Sequence, residues 1–591
     1  MTRVTAYVAG ALLTVAAPAD GQQEQAPADV VSETVEVRVV DVDVVVVDKR
    51  GRPVRGLKRE EFELFEDGRP VEIEYFAGPG AEDEPAARRV DAQVAEPARI
   101  SEVAPPSNRL TVVIYLDEQV LHPAHRQRVL ADLDQALEQW KELGARFVVA
   151  RHPGELEIVQ APTDDVERIR ELLRSYRWND TLGFRPEIER RSALQAIGQS
   201  YQFCLNVPLC VPCVDNWQQM LLFASDYARS EETRTALAVA GLADLASALA
   251  GLPGRKTVLY VGDGFQHQPG RSMFRYVGDL CEVHREQAPL EVEREAVVFD
   301  ESSRYTQLAA HAAANRVVFT MLDAGGTRAA ATSNIDGDVV ALDASGTSSG
   351  SFNPQFARIA ALFIDNIQTS HFVIANETGG KAILNADRPL RDLELLGDEL
   401  QATYSLGFTP QHPPTGRVHL LEVKLVEPAA KGRTLRYRRS YRDKQLEARL
   451  ADELVAALFL GESQGDDSNP LGIQAYAGDT TRIDRKRHEL PVQILLPESA
   501  AAPPPESASP RQVRVWMTAV SDDGRRTGIR QQLLDLGPGG IEPEKGVYSL
   551  VVDIELPEGD FTIAVGVRDE LTQEASFARL RAAIPTPAPA P

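Results

Sequence analysis

The sequence predicts a multidomain chain: a central α/β domain with a doubly wound, mostly parallel sheet, flanked by a small N-terminal β module and a C-terminal β-sandwich. Three observations lead there. At 591 residues the chain exceeds what one hydrophobic core serves. Between about 108 and 443, continuous apolar runs alternate with helix-patterned segments, as expected where both faces of a parallel sheet are covered. On either side, short alternating segments are punctuated by Gly, Pro and Asp turns, which is strand texture.

From the start, Arg3 precedes the apolar stretch Val4 to Ala17, and Ala19-Asp20-Gly21 supplies small residues for cleavage. Residues 1–21 therefore read as an export signal, too short for a comfortable membrane span, with Gln22 opening the mature chain. The β module covers 32–77: a valine-rich strand flanked by aspartates, then alternating segments around Asp67-Gly68, a hairpin signal. The strand Val42 to Val47 carries aspartates that act as gatekeepers against aggregation. Residues 78–107, rich in Ala, Pro and Glu, read as a linker.

The α/β domain, 108–443, opens on the apolar strand Leu110 to Leu116 and a helix whose Val129, Leu130, Leu133, Leu137 and Trp140 share a face. Further strands are expected at Arg146–Ala150, Glu155–Gln160, Lys256–Val261, Arg316–Leu322 and Lys381–Leu384. Thr403–Phe408, Val418–Leu425 and Leu435–Tyr441 are assigned to the same domain. A mostly helical, Cys-containing insertion lies near 180–235, and 324–354 is a Gly/Ser-rich loop. A connecting helix spans 444–464, a β-sandwich 465–585, and a Pro/Ala tail 586–591.

A net charge of −24 opposes binding to nucleic-acid phosphates or anionic lipid. The four cysteines, Cys204, Cys210, Cys213 and Cys281, favour two disulfides in an exported chain. Cys210-x-x-Cys213 as half a zinc site lacks a second pair, and as a redox pair it lacks a helix start, given Pro208 and Pro212.

Three blocks carry a family resemblance: "VVDVDVVVVDKRGRPVRGLKREEFELFEDGRPVEIEYF"; "LPGRKTVLYVGDG" with "AANRVVFTMLDAGG"; and "ETGGKAI" with "YSLGFTPQHPPTGRVHLLEVKL" and "RYRRSY". Over about 35–443 the chain resembles VWA-related domain proteins of the Acidobacteria type, with a von Willebrand factor A-like domain. The resemblance implies a metal-ion-dependent adhesion site: Asp-x-Ser-x-Ser after the first strand, a Thr on a second loop and an Asp on a third, holding Mg²⁺ with one open position. Here Asp117 matches the first Asp, but Gln119 and Leu121 stand at the serine positions; Asp263 matches the third-loop Asp. Thr181, Thr233 and Thr235 are open choices for the Thr. A degenerate site is expected, with Asp117 and Asp263 as its remnant and Glu118 as an extra carboxylate.

Other motifs fail on context. Gly346-Thr347-Ser348-Ser349-Gly350 lies in a loop, whereas a nucleophile elbow needs a strand before and a helix after. Gly254-Arg255-Lys256-Thr257 lacks phosphate-loop spacing and enters a strand. His122, His125, His152, His267, His284 and His311 are scattered; His122 and His125 beside Asp117 read as solvated residues at a helix start, with a metal cluster as the alternative. The expected function is that of an exported, non-enzymatic binding or adhesion protein without an obligatory cofactor, its partner a protein or cell-surface polymer. The alternatives are a hydrolase using Asp117, Glu118, His122 and Asp263, or a structural envelope protein.

Overall fold

The computed structural model describes residues 39–79, 110–176, 183–283, 290–327, 354–461, 469–484, 487–501, 511–522, 525–537, 540–541 and 543–585. The expected export signal, nearly all of the 78–107 linker, Thr181, His284, most of the 324–354 loop with its Gly346–Gly350 motif, and the tail lie outside the described residues.

In chain order, strands β1 (Val40–Asp48), β2 (Phe62–Glu66), β3 (Arg69–Val71) and β4 (Tyr75–Ala77) come first. Then follow β5 (Leu110–Leu116), α1 (Pro123–Trp140), β6 (Arg146–Arg151), β7 (Glu157–Thr163), α2 (Val166–Tyr176), α3 (Arg185–Leu205), α4 (Pro212–Asp215) and α5 (Trp217–Ala250). Next are β8 (Arg255–Gly262), α6 (Arg271–Val283), α7 (Leu290–Val298), α8 (Ser302–Ala314), β9 (Val317–Asp323), α9 (Pro354–Thr378), β10 (Ala382–Ile383) and α10 (Leu390–Gln401). Strands β11 (Tyr404–Phe408), β12 (Val418–Leu425), β13 (Arg433–Tyr437) and β14 (Ser440–Arg442) lead to α11 (Leu446–Leu460). The last strands are β15 (Gln474–Ala477), β16 (Thr481–Arg482), β17 (His488–Pro497), β18 (Arg511–Ser521), β19 (Arg530–Leu536), β20 (Val547–Leu556), β21 (Gly559–Asp569) and β22 (Ala575–Ile584).

The architecture is mixed α/β with several sheets. One sheet has six strands in the order β10-β9-β8-β5-β6-β7. Its neighbours pair in parallel except β6 and β7. All residues of β5 are buried, because both faces are covered. Val112, Ile114 and Leu116 pack with Leu133, Leu137 and Trp140 of α1 and Leu393 and Leu396 of α10. Val113 and Tyr115 pack on the other side with Leu242, Leu245 and Leu249 of α5 and Tyr305 and Leu308 of α8. That is why the run is uninterrupted rather than alternating.

Strands β11 to β14 do not continue this sheet, and the boundary expected at 443 is corrected. β1 pairs with β11 and β13, and β2 pairs with β12, all antiparallel. The N-terminal strands and the 404–442 segment thus share two four-stranded sheets, β13-β1-β11-β4 and β14-β12-β2-β3. Their common core includes Val42, Val44, Val46, Phe62, Leu64, Leu406, Phe408 and Val423. The physical reason is that a short hairpin module with one apolar face has nothing to bury it against, so it needs a second layer. The 404–442 strands widen both sheets so that their apolar faces meet; β12, beside β2, has Leu421 and Val423 buried and Glu422 and Lys424 exposed, the alternation of a half-buried strand.

A second pair of sheets forms the C-terminal unit: β15-β17-β16 with β20 on β17, and β19-β18-β21-β22. Val492, Ile494, Val513, Val515, Leu550 and Ile563 belong to its core. Helix α11 joins it to the α/β part, burying Leu450, Leu454 and Leu458 against Trp516 and Ala564 while also packing on α5. Among the described residues no helix is long and apolar enough to cross a membrane.

Candidate functional site

The carboxyl edge of the six-stranded sheet gathers the residues to which the sequence points, since Asp117 follows β5 and Asp263 follows β8. Asp117 is fully buried, and its Oδ2 accepts a hydrogen bond from the Tyr260 hydroxyl at 2.9 Å. His152 stands on its other side, Nδ1 3.8 Å from Asp117 Oδ1. Burial, reinforced by the Asp117 charge, pushes the Tyr115 and Tyr260 phenols well above their ordinary pKa, so both stay neutral and Tyr260 remains a donor. Helix α5 closes over this cluster at Gly241: an added Cβ would lie 2.7 Å from the His152 ring and 2.9 Å from the Tyr115 hydroxyl. A side chain there has no room, so the glycine admits the helix.

Asp263 serves a different group. Its Oδ2 accepts from the His122 backbone N–H at 2.9 Å, and its two oxygens lie 2.9 and 3.0 Å from His125 Nδ1. His122 is the N-cap of α1, its ring Nδ1 accepting from the Ala124 amide at 3.2 Å. Asp263 thus places a carboxylate at the positive end of α1, where it is favoured. Burial, with His125 nearby, holds the His122 pKa below its ordinary value.

The remaining positions diverge. Glu118 faces Arg151 and Arg126, at 3.5 and 3.9 Å, with its pKa raised by burial. The Gln119 amide donates to the Pro153 carbonyl at 2.6 Å, and Leu121 is fully buried in the core. Thr233 donates to the Arg229 carbonyl one turn back along α5, where Thr235 is buried. The four residues of the hydrolase alternative therefore point to three separate sets of partners.

The cysteines form two disulfides, Cys204–Cys210 and Cys213–Cys281. Cys210 and Cys213 belong to different bridges, so the CxxC is neither a redox pair nor half a zinc site. The bridges brace an apolar tip. Phe203 is 71% exposed, Val214 66% and Leu209 99%, with Leu205, Val207 and Val211 exposed between them. Leu209 sits at φ +68°, the left-handed region that a branched side chain enters at a cost of about 1 kcal/mol.

Among the described residues, one group of three His, Cys, Asp or Glu side chains brings its ligand atoms within 4.8 Å of one another: Glu66, His412 and His419. Sequence reasoning missed all three. The available signal was Glu66, the third residue of the inward-facing set Phe62, Leu64, Glu66 in β2. A carboxylate on a core-facing position needs a partner.

No family model matches the chain, and no curated protein matches it. Among solved structures, a conserved hypothetical protein BatB from Bacteroides thetaiotaomicron overlays 49% of this chain and 97% of its own length, at 10% identity and a TM-score of 0.20. A candidate beta-galactosidase from Bacteroides fragilis overlays 20% of this chain at 15% identity and a TM-score of 0.13, and the match spans 17% of that protein's length. Overlays at this level assign neither fold family nor activity.

Proposed function

We propose that the chain is an exported, non-enzymatic binding protein. In this reading a VWA-like, doubly wound α/β domain with a degenerate adhesion site is carried between β-sandwiches and docks a protein partner through the disulfide-braced tip of its helical insertion. The observation that supports it best is the tip itself. Phe203, Leu209 and Val214 project into solvent from a segment fixed by two bridges. Exposed apolar clusters on soluble proteins commonly mark interaction surfaces, and rigid anchors lose little entropy on binding. Apolar knobs without polar atoms suit an apolar protein groove better than a hydroxylated polymer. The bridges themselves suit an oxidising compartment.

A photo-crosslinking residue at Leu209, in the producing cells, is expected to give a discrete product that Phe203→Ser with Val214→Ser abolishes. The reading fails if there is no product, or if a probe at exposed Val551 on the C-terminal unit gives the same one.

The degenerate adhesion site carries its own expectation. Asp117 is bonded to Tyr260, and Asp263 to His122 and His125. Calorimetric titration with Mg²⁺ should therefore give the same trace for the wild-type chain, Asp117→Ala and Asp263→Ala. Saturable binding that both substitutions remove would restore metal-dependent adhesion.

A further inference from the structure

We propose that Glu66, His412 and His419 form a zinc-class divalent-cation site that pins the loop between β11 and β12 to the sandwich. The residues come from distant parts of the chain: Glu66 from the end of β2, His412 from that loop, His419 from β12. Sheet register fixes two of them. β12 pairs with β2 at Leu421–Glu66 and with β14 at His419–Tyr441.

The donor set is specific. Two imidazoles and one carboxylate suit Zn²⁺ and its neighbours in the transition series, whereas Mg²⁺ and Ca²⁺ favour all-oxygen shells. Each imidazole has an oxygen acceptor at Nδ1: Asp67 Oδ2 lies 2.9 Å from His419 Nδ1, and the Pro413 carbonyl lies 3.2 Å from His412 Nδ1, with Asp443 Oδ2 at 3.5 Å. A carboxylate or carbonyl there holds the proton on Nδ1 and leaves the Nε2 lone pair for an ion, the second-layer arrangement found around zinc histidines. His412 Nε2 is 3.1 Å from Glu66 Oε1. A tetrahedral ion with bonds of about 2 Å holds its ligands roughly 3.3 Å apart, so this spacing already fits.

His419 supplies the second observation. Its Nε2 is shielded from solvent and has no hydrogen-bond partner. A buried polar atom left so costs about 1–3 kcal/mol unless something binds it. Its ring stacks on that of His412, centroids 4.3 Å apart. Glu66, Asp67 and Asp443 together place three carboxylates around two imidazoles, a field that draws a dication. The Tyr441 hydroxyl bonds Glu66 and orients that carboxylate. The site is remote in composition from the apolar tip, so it stands or falls separately from the docking reading.

The test uses the untagged full chain, stripped with chelator and titrated calorimetrically with ZnCl₂, with MgCl₂ as control. One equivalent of Zn²⁺ is expected to bind at micromolar or tighter affinity and to raise the thermal midpoint, with Mg²⁺ silent. His412→Ala and His419→Gln should each weaken binding at least 100-fold, and Asp67→Asn about 10- to 100-fold. Circular dichroism checks that each variant folds, and His412, on a half-buried loop, is the variant least exposed to that risk. Co²⁺ substitution should give the visible absorption of a tetrahedral nitrogen–oxygen site in the wild-type chain and not in the variants. The proposal is overturned by no saturable Zn²⁺ binding, or by binding that these substitutions leave unchanged.

Discussion

Replacing Cys213 and Cys281 together with alanine is expected to cost the helical insertion about 4 kcal/mol. The bridge closes a loop of 68 residues, and the entropy that such a cross-link removes from the unfolded chain grows with the logarithm of loop length. The Cys204–Cys210 bridge, with a separation of 6, is worth about 2 kcal/mol by the same relation. Both Cys213 and Cys281 are buried with Met220, Met273, Tyr276 and Val277, so the double substitution also removes packed sulfur. The loss should register in the opening free energy of α6 amides by hydrogen exchange, and hardly at all in β17 or β21 of the C-terminal unit. Equal losses in both places, or a loss under 1 kcal/mol at α6, would refute it. The two bridges also separate scaffold from tip: losing Cys213–Cys281 frees α4 from α6, whereas losing Cys204–Cys210 frees only the Leu209 turn. Crosslinking from Leu209 should therefore suffer in both variants, and stability mainly in the first.

What the sequence makes legible is set by how locally each feature is encoded. The run Leu110–Leu116 declares a strand buried on both faces because nothing in it could face water. The facing residues Val129, Leu133 and Leu137 declare α1 by their spacing, and all three are buried in the core. Strand pairing is another matter. Val44 opposes Tyr437, and Leu421 opposes Glu66. No local pattern encodes partners so far apart, which is why β11 to β14 are readable as strands but not as partners of the N-terminal strands in two shared sheets. The site divides the same way. An aspartate after a strand suits a metal ligand and a helix-capping acceptor equally, and only the 2.9 Å contact of Asp263 with the His122 N–H separates the roles. Glu66 and His419 are visible one at a time, as a carboxylate facing the core and a histidine in a strand, but their convergence exists only in the folded sandwich.

Glu453 should make the joint between the α/β part and the C-terminal unit weaken as pH rises. It lies on α11 where that helix crosses the end of α5: a Cβ at Gly251 would lie 2.4 Å from Glu453 Cα. Burial raises its pKa from 4.5 to about 7, against a smaller lowering by Arg449 and with a further push from Asp452. The folded state therefore holds this proton more tightly than the unfolded chain. The stabilising contribution is fully present below 4.5 and is lost as pH climbs through about 7. The size of the shift corresponds to about 3 kcal/mol across that window. Glu453→Gln stays neutral throughout, so its unfolding midpoint should match the wild-type chain near pH 4.5 and exceed it increasingly up to pH 8. Many other groups titrate in the same range, and the difference between the two curves removes them. Parallel curves would mean that Glu453 ionises in the folded protein as it does in water, and that the close α5–α11 crossing leaves its carboxyl solvated.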